Sequence, residues 1–248
     1  MADDIPVCDY LYQNDAAMNA ESSDSDGRDI MIDREPVRRA EAAMRAGDFA
    51  TAVQLCDAFL QENPSDLNAT YLKGQAMSNM QKDDEALILF DRALHLAGPA
   101  SELYPLILHN KGNTLLWLDK LNEAEECYDK ALRIKPGLGR AWIEKARIAY
   151  RRGLFGDSVK CCDNALSINP SSPRAFNNKA AALLELGRLD EAIACGQKAV
   201  DLQPRYVQAW VFLSKAYKKK GDMKRARTCE NLAQELVQKS EAIFEGYE

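Results

Sequence analysis

The sequence predicts an all-α solenoid, a stack of antiparallel helix pairs preceded by an acidic N-terminal tail. Three observations predict it. The first is a fixed interval: Cys127, Cys161, Cys195 and Cys229 are each 34 residues apart, and the same interval links Pro136, Pro170 and Pro204, Lys111, Lys145 and Lys179, and Ala131, Ala165, Ala199 and Ala233. A period of this size marks a repeat architecture, because each unit has an apolar face that only a neighbouring unit can cover. The second is the pattern inside one period. Leu108, Leu115 and Leu116 share one helical face, Leu118 to Asn122 form a polar turn, Ala124, Tyr128 and Ala131 share a second helical face, and Pro136 closes the unit. The third is the placing of charge. Residues 1–35 hold ten acidic side chains against Arg28 and Arg34, a balance of −8, while the whole 248-residue chain carries −6 and is 46% hydrophobic. A nearly neutral body with ample material for a core therefore follows an acidic segment.

The elements follow in order. Residues 1–33 are rich in Asp, Asn and Ser, and Glu21-Ser-Ser-Asp-Ser-Asp-Gly-Arg28 has too little apolar surface to offset the entropy of ordering. This segment is expected to be mostly disordered, with Val7, Cys8, Tyr10, Leu11 and Tyr12 as a short docking element. The first copy, residues 34–66, holds Ala40, Ala43, Ala52 and Pro64, with Phe59 where a small residue is usual. A degenerate terminal copy fits a unit with one uncovered face. The second, residues 67–100, holds Gly74, Met77, Ala86, Phe90 and Ala93. The third, residues 101–138, begins late: Lys73 and Lys111 are 38 residues apart, four more than the period. Four residues are about one helical turn. With Ser101 as N-cap and Pro105 in the first turn, the expectation is a lengthened first helix. The fourth, 139–172, holds Trp142, Ala146, Ala149, Cys162, Ala165 and Pro170. The fifth, 173–206, holds Phe176, Ala180, Leu183, Ala192, Ala199 and Pro204. The sixth, 207–248, holds Trp210, Tyr217, Ala226 and Ala233, and Gln238 stands where the closing proline would be. Its second helix is expected to run on towards Phe244 and cap the stack.

A large apolar residue, a Gly or Ala, an aromatic, an Ala, an aromatic, an Ala and a Pro in this order over 34 residues resemble the tetratricopeptide repeat. The stretch NKGNTLLWLDKLNEAEECYDKALRIKP carries the likeness most fully. The resemblance spans residues 34–240 as six copies. It implies a right-handed solenoid whose first helices line a concave groove, and a role as a protein-interaction scaffold or adaptor.

Catalysis is not expected. His95 and His109 have no ligand or nucleophile at helical spacing, and no phosphate loop, nucleophile elbow or H-E-x-x-H helix is present. No cofactor or metal is expected either. Stacked helices pack about 8–10 Å apart, whereas two sulfurs on one zinc lie within about 4 Å of each other, so cysteines related by the period serve as small apolar fillers. Seven cysteines without C-x-x-C, an acidic start without an apolar leader and no run of 18 apolar residues lead us to expect a reducing, cytoplasmic compartment and no membrane contact. Nucleic acid is not an expected partner. The run Lys218, Lys219, Lys220, Lys224, Arg225 and Arg227 reads as a solvated helix end rather than a basic face.

The groove that the resemblance implies would present Tyr71, Gln75, His109, Asn110, Asn113, Arg140, Glu144, Arg147, Arg174, Asn177, Asn178, Phe212 and Lys215, the first-helix residues off the packing stripe. Asn side chains both donate and accept, which suits an extended peptide backbone, and Arg and Phe suit anchors. A carboxylate clamp of the chaperone-binding type fits poorly. In the best frame His109 and Asn113, Glu144, then Arg174 and Asn178 stand at its positions, and Glu144 would repel a terminal carboxylate. The expected partner is thus a protein segment, extended or helical. The alternatives are a regulatory or targeting module of a catalytic complex, co-chaperone-like or transferase-associated, and a structural protein with weak self-association. The acidic tail is expected to fold back and compete with partners.

Overall fold

The computed structural model describes residues 34–245, with side chains described as far as residue 239. The described residues form twelve helices and no strand: α1 (Glu35–Arg45), α2 (Phe49–Glu62), α3 (Leu67–Asn79), α4 (Asp83–Ala97), α5 (Tyr104–Trp117), α6 (Leu121–Ile134), α7 (Gly139–Arg151), α8 (Phe155–Ile168), α9 (Pro173–Glu185), α10 (Leu189–Leu202), α11 (Val207–Lys220) and α12 (Met223–Glu245). The readings for residues 1–33, tail and docking element alike, lie outside the described residues.

Local chemistry sets the ends of these helices. Asp48, Asp66 and Ser172 cap α2, α3 and α9 by accepting the amide hydrogens of Thr51, Ala69 and Ala175. Proline occupies the first turn of α1, α5 and α9, where its missing N–H costs nothing. Every first helix ends in the same turn. A left-handed residue stands at Gly47, Gln81, Asp119, Gly153, Gly187 and Gly221. The amide after it reaches five residues back, as from Lys82 to Met77 O and from Leu154 to Ala149 O, both at 2.9 Å. This closes the last carbonyls of the helix in a Schellman motif.

The chain divides into two compact units, Met1–Lys120 with α1–α5 and Leu121–Glu248 with α6–α12. Within each, consecutive helices pack together, and odd-numbered helices also touch the next odd-numbered one: α1 with α3, α3 with α5, α7 with α9, α9 with α11. The pairs are antiparallel. Ser158 Oγ donates to Ala146 O at 2.8 Å, and nearer the turn the rings of Tyr150 and Phe155 meet edge-on at 5.3 Å. The fold class is the expected all-α solenoid.

The core is correspondingly a series of local clusters. In the first unit, Val37, Ala40, Met44, Ala52, Cys56, Phe59 and Leu72 form one, and Tyr71, Met77, Ala86, Phe90, Ala93 and Ile107 form the next. In the second unit, Leu183, Leu184, Ala192 and Ala216 form one, and Val200, Ala209, Leu213, Tyr217 and Ala226 another. Small residues set how closely helices approach. A Cβ on Gly74 would stand 3.0 Å from the Phe90 ring, so glycine is what lets α3 meet α4 there. Polar links bind one copy to the next. Lys73, Lys111, Lys145 and Lys179 pair with Asp57, Asp91, Asp129 and Asp163 of the preceding second helix. The Trp142 and Trp210 indoles donate to the carbonyls of Pro136 and Pro204 at 3.2 and 2.9 Å.

One expectation is overturned. The first helix of the third copy is not lengthened by a turn: α5 has 14 residues, the same as α11 and one more than α3, α7 and α9, and it starts at Tyr104. Ser101 is not its N-cap. Leu103 holds that position without a side-chain bond, and Ser101 lies in the connection, where its Oγ accepts from Leu103 N at 3.3 Å. The connection from α4 to α5 runs over residues 98–103, two residues longer than the other connections between copies, and α4 and α5 each take one of the remaining two extra residues. The reason is local. Gly98 takes φ +64 and Pro99 follows, so α4 stops, while the pairing of Lys111 with Asp91 keeps α5 in register with α4. Pro105 does fall in the first turn, and α12 does run past Gln238 to Glu245 as one helix of 23 residues.

Candidate partner-binding faces of the first helices

In the first unit the expected groove residues sit on α3 and α5. Tyr71 and His109 are buried, contrary to a reading that put them on an open face. A polar network between the two helices accounts for this. Asn110 Nδ2 donates to Tyr71 Oη at 2.8 Å, and Asn110 Oδ1 lies 3.1 Å from His109 Nδ1. With its amide nitrogen given to Tyr71, Asn110 accepts from His109. Ser78 and Thr114 hydroxyls join the same two helices at 2.9 Å. Gln75, Asn110 and Asn113 are half-buried and reach the surface. The α3–α5 face is thus held by its own side chains, with amides at its edge.

In the second unit α7, α9 and α11 carry the face. Glu144 is only 1% exposed. Its Oε2 accepts from Arg147 Nη1 and its Oε1 from Arg174 Nη2, each at 2.6 Å, so one carboxylate ties α7 to α9. This corrects the expectation that Glu144 faces a ligand and repels it. A buried carboxylate needs paired charges, and two guanidiniums leave the cluster net positive. Asn177 is also buried, again contrary to expectation. Its Oδ1, and Oε1 of Gln208 on α11, are buried acceptors with no hydrogen-bond partner. Arg147, Arg174, Asn178 and Phe212 are half-buried, and Arg140 and Lys215 are exposed. Lys215 Nζ stands 5.9 Å from the Phe212 ring centroid.

Charge is sorted by layer in this unit. The first helices carry +3 on α7, +1 on α9 and +4 on α11, and the second helices −2 on α6, −1 on α8 and −2 on α10, with α12 neutral. Sequence reading missed this because it judged the lysine run by itself instead of summing each helix. It missed Gln208 too, although Arg140, Arg174 and Gln208 are spaced by 34 residues and so share one register.

Five of the described cysteines sit where burial disfavours the thiolate. Burial pushes the Cys56 thiol up to about 12 and raises those of Cys162, Cys161, Cys195 and Cys229. No group of His, Cys, Asp and Glu side chains among the described residues is placed to hold a metal ion. None of the described helices is long and apolar enough to cross a membrane.

Known proteins resemble this chain in its repeats. Residues 138–237 match the family described as the middle tetratricopeptide-like domain of cilia and flagella-associated protein 70. Residues 105–138 and 43–107 match two tetratricopeptide-repeat families. No curated protein matches the sequence. Among solved structures, the type IV pilus biogenesis factor PilW aligns with a TM-score of 0.72 at 23% identity, over 80% of this chain and 90% of that one. YrrB, a tetratricopeptide-repeat protein described as having an unusual peptide-binding site, aligns with a TM-score of 0.56 at 19% identity, over 73% and 91%. A chain of the APC/C hetero-tetramer Cut9-Hcn1 aligns with a TM-score of 0.73 at 14% identity, over 81% of this chain but 39% of that one. Such identities speak for the fold alone. With the 34-residue period, the helix-pair contacts and family matches that tile residues 43–237, they lead to one conclusion: the chain belongs to the tetratricopeptide-repeat family.

Proposed function

We propose that the chain is a protein-interaction scaffold or adaptor whose first-helix faces receive an extended segment or a helix of a partner protein. Tetratricopeptide folds are in general scaffolds for protein–protein interaction, and repeat stacks offer long surfaces suited to that task. The observation that carries the reading is the makeup of the α7, α9 and α11 face. Arg140, Asn178, Phe212 and Lys215 reach its surface, while the apolar stripes of the same helices face the core. Basic, amide and aromatic groups on one rigid face supply charge, hydrogen bonds and an anchor. YrrB supports the reading by its described peptide-binding site. The expected setting is the cytoplasm.

The test is capture from a cell lysate by the intact chain and by a variant carrying Arg140→Glu, Asn178→Ala and Lys215→Glu. Partners held by the first and lost by the second place the function on this face. Equal capture by both, with helicity unchanged, removes it. A second reading rests on the match of residues 138–237 to a cilia and flagella-associated protein, and makes the chain an adaptor in an assembly of those organelles. A fluorescent fusion that stays diffuse in ciliated cells counts against it.

A further inference from the structure

We propose that the α9–α11 face binds an extended acidic segment of a partner protein, with Lys215 and Lys219 taking carboxylates and Asn177 and Gln208 taking main-chain amides. The inference rests on the scaffold reading above and names the chemistry of its partner.

The cations of α11 come in two kinds. Lys218 and Lys220 reach across to Glu230 of α12 and Asp190 of α10, and serve the fold. Lys215 and Lys219 are exposed and have no acidic partner among the described residues, although Lys219 Nζ donates a long bond of 3.5 Å to Leu184 O of α9. They lie four apart, on one helical face. On that face the helix advances about 6 Å between them. Alternate side chains of an extended strand repeat at about 6.6 Å. A chain running along α11 with acidic residues at every second position would therefore meet both ammonium groups in step.

The second observation is independent of charge. Asn177 is 5% exposed, and its carbonyl oxygen has no hydrogen-bond partner; nor has that of Gln208. Both are acceptors, and an extended segment offers main-chain N–H donors. Arg174 and Gln208 are one period apart, so Gln208 stands on α11 as Arg174 stands on α9, beside the preceding first helix. A buried acceptor left unsatisfied costs stability, and a donor from outside the chain would recover it. Phe212, half-buried beneath Lys215, and Val211, 38% exposed, give the segment an apolar floor.

The full chain is tested by fluorescence anisotropy against four labelled probes: short peptides of alternating Asp-Ala, Ser-Ala and Lys-Ala, and a short oligouridylate. The Asp-Ala peptide is expected to bind best and to weaken steeply with added salt. Lys215→Glu with Lys219→Glu should weaken it about tenfold or more, with helicity unchanged because both side chains are exposed. Asn177→Leu should weaken it several-fold while the melting temperature holds or rises. Equal or tighter binding of the other peptides or of the oligouridylate overturns the proposal. So does an Asn177→Leu variant that gains thermal stability and binds as before. Binding of Ser-Ala or Lys-Ala peptide that these substitutions abolish removes the acidic class and leaves the scaffold reading standing. Failure of every peptide, together with unaltered lysate capture by the triple variant, removes both.

Discussion

Glu144 shows what a single residue decides. Its carboxylate is inside the protein, and two arginines from two helices meet it there. Glu144→Ala leaves both guanidiniums without their shared counter-charge, and should cost about 2 kcal/mol in urea unfolding. Replacing Glu144 and Arg174 together by Met should cost less than the single change, since Arg147 is then the one guanidinium of the pair to lose this carboxylate. Cys56 makes the complementary point about a neutral group. Its thiol is pushed up to about 12, chiefly by burial, from an ordinary value of 9.0. In the unfolded chain that thiol ionises near its ordinary value, so above pH 9 the unfolded state holds fewer protons than the folded one. Stability therefore falls as pH rises through that window and is fully present below it. Thermal melts at pH 8 and pH 10 should show the fall, and Cys56→Ala should make it smaller.

Elements are held by a turn that recurs in every copy. Four of the six left-handed positions are glycine, and Gln81 and Asp119 are the exceptions, each at φ +60. A residue with a Cβ is strained there, glutamine more than aspartate. Gln81→Gly should therefore stabilise the first unit by about 0.5–1 kcal/mol, the relief of strain exceeding the added unfolded-state entropy. Chemical denaturation of the two proteins checks it. The same turns explain why the third copy absorbs four extra residues without harm. Helix ends are fixed at Gly98 and at Asp119 by local bonds, so the added chain is taken up where α4 meets α5, two residues in the connection and one at each adjoining helix end, and Lys111 still pairs with Asp91.

At the scale of the whole chain, charge is separated three ways. Residues 1–33 are acidic, the first helices of the second unit are basic, and α6, α8 and α10 are acidic. We propose that the tail, being acidic, competes with an acidic partner. Deleting residues 1–33 should tighten binding of the Asp-Ala peptide at low salt by several-fold, and the gain should vanish at high salt, where screening shortens the reach of charge to a few ångströms. Equal affinity of the two proteins at low salt removes the competition.

Much of the architecture was legible in the chain itself. The 34-residue period, the two apolar stripes in each copy and the prolines determine an all-α stack, because a helix with one apolar face buries it only against its neighbours. Even Pro105 in a first turn and a last helix running past Gln238 could be read from local rules. The candidate faces were legible only as positions. Tyr71, His109, Glu144 and Asn177 have the polarity and spacing of surface residues, and they are buried because partners on a neighbouring helix, or its bulk, cover them. Spacing along a helix tells which way a side chain points. What it meets there depends on residues about one period away, and only the packed structure brings those together.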